Sequence, residues 1–265
     1  MTAAPDHAIL FPAERRRIGL IVPSSNTTME TELPAIVRRQ HGAPEDLFTF
    51  HSARLRLHQV TEDELRRMNA ETGRAVREVA DARPHVIATA CLVAIMAQGN
   101  GYHCTAEEDM SRVLGEEDAA APVVSSAGAL LKALGALRAK RIGIVTPYAK
   151  PLTKLVAGYI EDAGFEVQDS VSLEVTNNRE VGMLDPHGLR EHWKRLDLSR
   201  CDALVLSCCV QMPSLSAIEA VEQDCGLPTI SAATATAWSI LRALDMEPNV
   251  PGAGSLLTGA GVAAA

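Results

Sequence analysis

The chain writes one pattern twice, and that duplication limits the folds open to it. Arg17-Ile18-Gly19-Leu20-Ile21-Val22-Pro23 returns as Arg141-Ile142-Gly143-Ile144-Val145-Thr146-Pro147. Val86-Ile87-Ala88-Thr89-Ala90-Cys91-Leu92-Val93 returns as Leu204-Val205-Leu206-Ser207-Cys208-Cys209-Val210-Gln211, with a cysteine five residues after the first apolar residue in each copy. Pro122-Val123-Val124-Ser125-Ser126-Ala127 returns as Pro228-Thr229-Ile230-Ser231-Ala232-Ala233, and each copy leads into a helical stretch. Short apolar runs closed by Pro, Ser or Cys read as buried parallel strands. Three matches in one order predict an α/β protein: two pseudo-symmetric, Rossmann-like units with parallel sheets and a cleft between them. The expected division is residues 1–125 with 232–265 for one unit and 126–231 for the other.

Between these strands the chain supplies helices. Ser24-Ser25-Asn26-Thr27-Thr28 is a run of N-cap residues, followed by Met29, Leu33, Ile36 and Val37 on one face. Phe48 to Leu57 reads as a further strand. Residues 62–82 read as one long helix, with Thr61 and Glu64 spaced as a capping box. The last helix, Thr234 to Leu244, is expected to pack back on the first unit. The Gly- and Ala-rich stretch after Pro248 reads as a loose or partner-bound end, and Met1 to Pro12 as a loose arm.

Composition narrows the function. A net charge of −8 argues against nucleic acid as a partner. No apolar run approaches the roughly 20 residues needed to span a bilayer. Met1 to Pro12 has neither the basic nor the apolar part of a secretory leader, so a cytoplasmic location is expected. The six cysteines include no CxxC pair and no zinc spacing with histidine, so reduced thiols and no metal are expected.

In open α/β sheets ligands bind beyond the carboxyl ends of strands. Cys91 and Cys209 fall at such ends in matching copies, which points to two thiols facing one cleft. Strand alternation would turn Cys208 the other way. Cys91 precedes a helical turn at Leu92 to Met96, whose positive end would lower the thiol from its ordinary value of about 8.5. Ser25 and Asn26 after the first strand, and Tyr148 at the matching turn of the second copy, offer donors to an anion. Asn177-Asn178 reads as a turn; Lys150 and Arg179 are weaker anion partners. Two thiols on opposite faces of a small acid allow nucleophile plus proton donor, or base plus acid on one carbon.

Five stretches resemble the maleate cis-trans isomerases, a branch of the aspartate/glutamate racemase superfamily: GLIVPSSNTTMETELP (19–34), ACLVAIM (90–96), VTPYAKPLT (145–153), NNREVG (177–182) and CVQMPSL (209–215). The resemblance implies cofactor-independent conversion of maleate to fumarate by a homodimer. It implies that Cys91 is the nucleophile and Cys209 the second catalytic cysteine. It also implies that Asn26, Tyr148 and Asn178 bind the dicarboxylate, together with Ser25 and the amides of Leu92, Val93, Val210 and Gln211. A two-cysteine racemase of amino acids or hydantoins stays open as an alternative, as does a non-catalytic dicarboxylate-binding protein.

Overall fold

The duplicated strands form two separate sheets of the same topology. The computed structural model describes residues 15–259; the Met1–Pro12 arm lies outside them. The first half runs β1 (Arg16–Pro23), α1 (Met29–Val37), β2 (Phe48–Leu55), α2 (Glu62–Ala70), α3 (Thr72–Ala80), β3 (Val86–Thr89), α4 (Leu92–Met96), α5 (Tyr102–Glu116), β4 (Val123–Ser125) and α6 (Ser126–Ala136). The second runs β5 (Arg141–Thr146), α7 (Lys150–Asp162), β6 (Glu166–Ser172), α8 (Asn178–Val181), α9 (Leu189–His192), β7 (Ala203–Ser207), α10 (Leu215–Cys225), β8 (Thr229–Ser231), α11 (Ala232–Ala243) and α12 (Ser255–Thr258). Each sheet has four parallel strands, ordered β2-β1-β3-β4 and β6-β5-β7-β8.

The sequence explains why β1 and β5 take central places. Ile18, Leu20, Ile21 and Val22 are fully buried, as are Ile142, Ile144 and Val145. Such continuous apolar runs suit strands covered on both faces. The glycine of each RIG motif admits a close neighbour. A Cβ on Gly19 would lie 2.4 Å from Val79 Cγ1 of α3, and one on Gly143 2.5 Å from Leu198 Cδ2.

Three expectations need correction. The helix over 62–82 is two helices, broken at Glu71, where the following Thr72-Gly73 pair has weak helix propensity. The first cysteine strand stops at Thr89, before the thiol, because Cys91 turns into the left-handed region. The stretch after Pro248 is packed as far as it is described. Val250, Ala253, Leu256 and Leu257 are buried, and Glu222 accepts from Ser255 N. Its few large apolar residues are enough to hold it down. Helix α11 lies against α1 and α6.

The halves also touch at their rims. Gln59 and Asn177 form an isolated antiparallel bridge. The Glu64 carboxylate accepts from His58 N at 2.8 Å and Gln59 N at 3.0 Å, clamping the first strand of that bridge. Elsewhere His103 Nδ1 of α5 meets the Tyr159 hydroxyl of α7 at 2.6 Å.

Candidate active site

Each thiol sits two residues past the carboxyl end of its strand, Cys91 after Thr89 and Cys209 after Ser207. The duplication therefore places them equivalently. Their backbones differ. Cys91 has φ +73° and ψ +64° and stands at the N-cap of α4. A side chain in that region costs on the order of 1 kcal/mol. Around Cys209 the loop is fixed by Ser207 Oγ, which donates to Cys209 O at 2.9 Å and Met212 O at 3.2 Å. Cys208 is fully buried beside it, already beyond β7, so strand alternation does not govern its direction.

A charge on Cys209 disfavours a charge on Cys91. Burial is the larger influence and pushes the Cys91 thiol up to about 12, against a hydrogen bond from Ala94 N–H. The lowered thiol expected from the helix start is thus overruled by desolvation; α4 is a single short turn and its dipole is small. Cys209 is also raised by burial, opposed by hydrogen bonds from Tyr148 and from the amides of Gln211 and Met212. Tyr148 senses both thiols, and burial holds its hydroxyl well above the ordinary phenol value. Its hydroxyl donates to Cys208 O at 3.2 Å.

Asn26 lies 1% exposed at the end of β1. Its Oδ1 accepts from Thr28 N and Met29 N at 3.0 and 2.9 Å, so it starts α1 from outside the helix. Arg54 of β2 buttresses that turn, donating to Ser24 O at 2.9 Å and Asn26 O at 3.2 Å and pairing with Glu30. Asn177 caps its neighbour Arg179, while Asn178 is buried and donates through Nδ2 to Ser25 Oγ at 2.8 Å. Gln211 ties three segments together: Oε1 accepts from Thr27 N at 2.9 Å, and Nε2 donates to Ser25 O at 3.2 Å and Asn178 O at 2.9 Å. Both amide hydrogens of that side chain are therefore occupied by protein. Leu92, Val93 and Val210 are buried beside the cysteines. Lys150 pairs with Glu174 at the surface at 3.5 Å and Arg179 is exposed, so neither is brought to the thiols.

Cys209 is buried and Cys91 half-buried. Two surface hollows of about 600 and 610 Å3 are lined by neither Cys91 nor Cys209. A smaller one of about 210 Å3 has Tyr148 in its wall, with Val60 from the first half facing Val175 and Thr176 from the second. Among the described residues no three His, Cys, Asp or Glu gather to hold a metal ion, and no helix is long and apolar enough to cross a membrane. Arg54 and Glu32 (taken up below) are the site residues the sequence did not disclose. They act across gaps of tens of residues, where no local spacing marks them.

Two like parallel four-stranded sheets, each with a cysteine two residues past its third strand, define an α/β protein of duplicated halves. The profile of the arylmalonate decarboxylase family matches residues 18–257. A maleate isomerase of Geobacillus stearothermophilus is 53% identical over 93% of this chain and 99% of its own length. The maleate isomerase Iso of Pseudomonas putida S16, a cysteine-to-alanine variant crystallised with maleate, superposes with a TM-score of 0.91 at 48% identity, covering 93% of this chain and 99% of that one. A cysteine-to-serine mutant of the Nocardia farcinica maleate cis-trans isomerase, with a covalently bound succinylcysteine intermediate, gives 0.89 at 50% identity over 92% and 98%. The chain belongs to the arylmalonate decarboxylase family and, within it, to the maleate isomerases.

Proposed function

We propose that this protein converts maleate to fumarate without a cofactor, through a covalent adduct on Cys91. The observation that carries the reading is the equivalent placement of Cys91 and Cys209, each two residues past the end of its strand, with the Tyr148 hydroxyl bonded to Cys208 O beside the second. The succinylcysteine intermediate of the Nocardia relative supports it.

A double bond blocks rotation, so isomerisation needs a passing single bond. The Cys91 sulfur, as thiolate, adds to one alkene carbon. The π pair moves to the neighbouring carbon and is shared with its carboxylate. That carbon takes a proton from Cys209, giving a succinyl adduct whose central bond turns freely. Cys209, now the base, removes the proton; the electron pair reforms the alkene and expels sulfur. The Asn26 amide nitrogen, Tyr148 hydroxyl, Asn178, Ser25 and the main-chain amides of Leu92, Val93, Val210 and Gln211 hold the carboxylates and the developing charge. Closure of the cleft over the bound diacid keeps water from the carbanion. Desolvation raises the Cys91 thiol, so in this reading Cys91 loses its proton when the diacid binds.

Six free cysteines fit a reducing compartment, and a cytoplasmic homodimer completes the reading. Proton NMR of maleate mixed with the protein tests it: the fumarate signal is expected to grow as maleate disappears. Unchanged maleate, with loss of optical activity from aspartate, glutamate or a hydantoin, would favour the racemase reading instead.

A further inference from the structure

Glu32 is a carboxylate with an unusual address. It lies on α1 of the first half, is 9% exposed, and reaches the second half. Its Oε1 accepts from Ser214 N at 2.6 Å and from Leu215 N, and its Oε2 from Ser214 Oγ at 3.3 Å. Those amides open α10, whose own N-cap residue, Ser214, makes no capping bond to its helix. A helix start needs an acceptor for its free N–H groups, and a negative one suits its dipole. Here the acceptor comes from the other half of the molecule. Burial raises the Glu32 pKa against these three hydrogen bonds, so the group is held where its charge is disfavoured.

What this contact holds is the connection from β7 to α10, residues 208–214, which carries Cys209. Its near end is fixed within its own half, by Cys208 N donating to Val145 O at 3.0 Å. Its middle is held by the Gln211 bonds already described. Its far end is held by Glu32. We propose that Glu32 is a positioning residue for Cys209: by capping α10 from α1 it sets the second thiol in register with the half that carries Cys91. The proposal rests on the two-thiol reading above.

The test uses Glu32→Ala, Glu32→Asp and Glu32→Gln in the full chain, with maleate turnover, acid-quenched mass mapping and iodoacetamide labelling of the two cysteines. Gln keeps an acceptor oxygen for Ser214 and Leu215; Asp is one methylene too short to reach. In Ala and Asp variants kcat is expected to fall about 10²-fold, the size of lost acid–base assistance, with KM changed by less than about threefold. The labelling rate of Cys209 changes and that of Cys91 does not. Gln restores most of kcat. Wild-type kcat in Glu32→Ala overturns the proposal, as does equal impairment of Gln and Ala. So does a Cys91 labelling rate that changes as much as that of Cys209 in a folded variant. Should Glu32→Ala not fold, the Asp and Gln pair decides in the same way. Should the wild type make no fumarate, the function reading fails on its own. The labelling then still decides: the Glu32 variants must change the Cys209 rate and leave that of Cys91.

Discussion

Asn178 Nδ2 donates to Ser25 Oγ at 2.8 Å, joining α8 of the second half to the turn after β1 of the first. Both side chains are proposed carboxylate donors, and in the free protein Ser25 Oγ accepts one of the Asn178 amide hydrogens. A bound diacid would take over the Asn178 donor, and a hydrogen bond to a charged group is worth about 1.5–3 kcal/mol. Asn178→Ala is expected to raise KM for maleate about tenfold or more, measured by steady-state kinetics. A KM within twofold of wild type would remove Asn178 from the binding set.

The half-buried Cys91 gives a pH signature. Its pKa lies above the ordinary thiol value, at about 12, so the reactive thiolate fraction grows with pH and is small at neutrality. Alkylation of Cys91 by iodoacetamide in the ligand-free protein should rise about tenfold per pH unit across the range from 8 to 10. Mass mapping of the labelled peptide reads it. A plateau beginning near pH 8 would show that burial is not what sets this group.

Gly182 leaves no room for a side chain. An added Cβ would meet Gln211 Nε2 at 2.5 Å and Thr27 Oγ1 at 2.7 Å. Gly182→Ala displaces the Gln211 amide nitrogen, which bonds Ser25 O and Asn178 O. Overpacking of this kind costs about 1–3 kcal/mol. A lower denaturation midpoint and a lower kcat together are expected; a loss of stability with full kcat would separate the Gln211 junction from turnover.

Leu257 is fully buried near the end of the described chain, and Val250 N donates to its carbonyl at 2.7 Å. Leu257→Ala should cost about 2–5 kcal/mol, the usual range for a core leucine, in urea unfolding. A change under about 0.5 kcal/mol would restore the view of this stretch as a loose end.

Much of this architecture is visible in the sequence because it is written locally. The RIG strands, the proline-led β4 and β8, and the thiols past Thr89 and Ser207 are patterns within a few residues, and repetition reinforces each. What escapes is made over distance. Nothing near Glu32 reveals that it caps a helix starting at Leu215, and nothing near Arg54 reveals that it supports Asn26. The thiol acidity escaped for another reason. Sequence shows that a helix follows Cys91, but not that desolvation outweighs the helix start there. The break at Glu71 was readable, since Thr72-Gly73 interrupts an otherwise strong helical run.

The left-handed backbone at Cys91 has a further consequence. With φ at +73°, this is a position where glycine would sit without strain. The residue proposed to attack the alkene is therefore held in place at the expense of the resting fold. Cys91→Gly should yield an inactive protein that resists heat at least as well as the parent. Among inactivating changes, that one would mark the site as a place where durability was given up for reactivity.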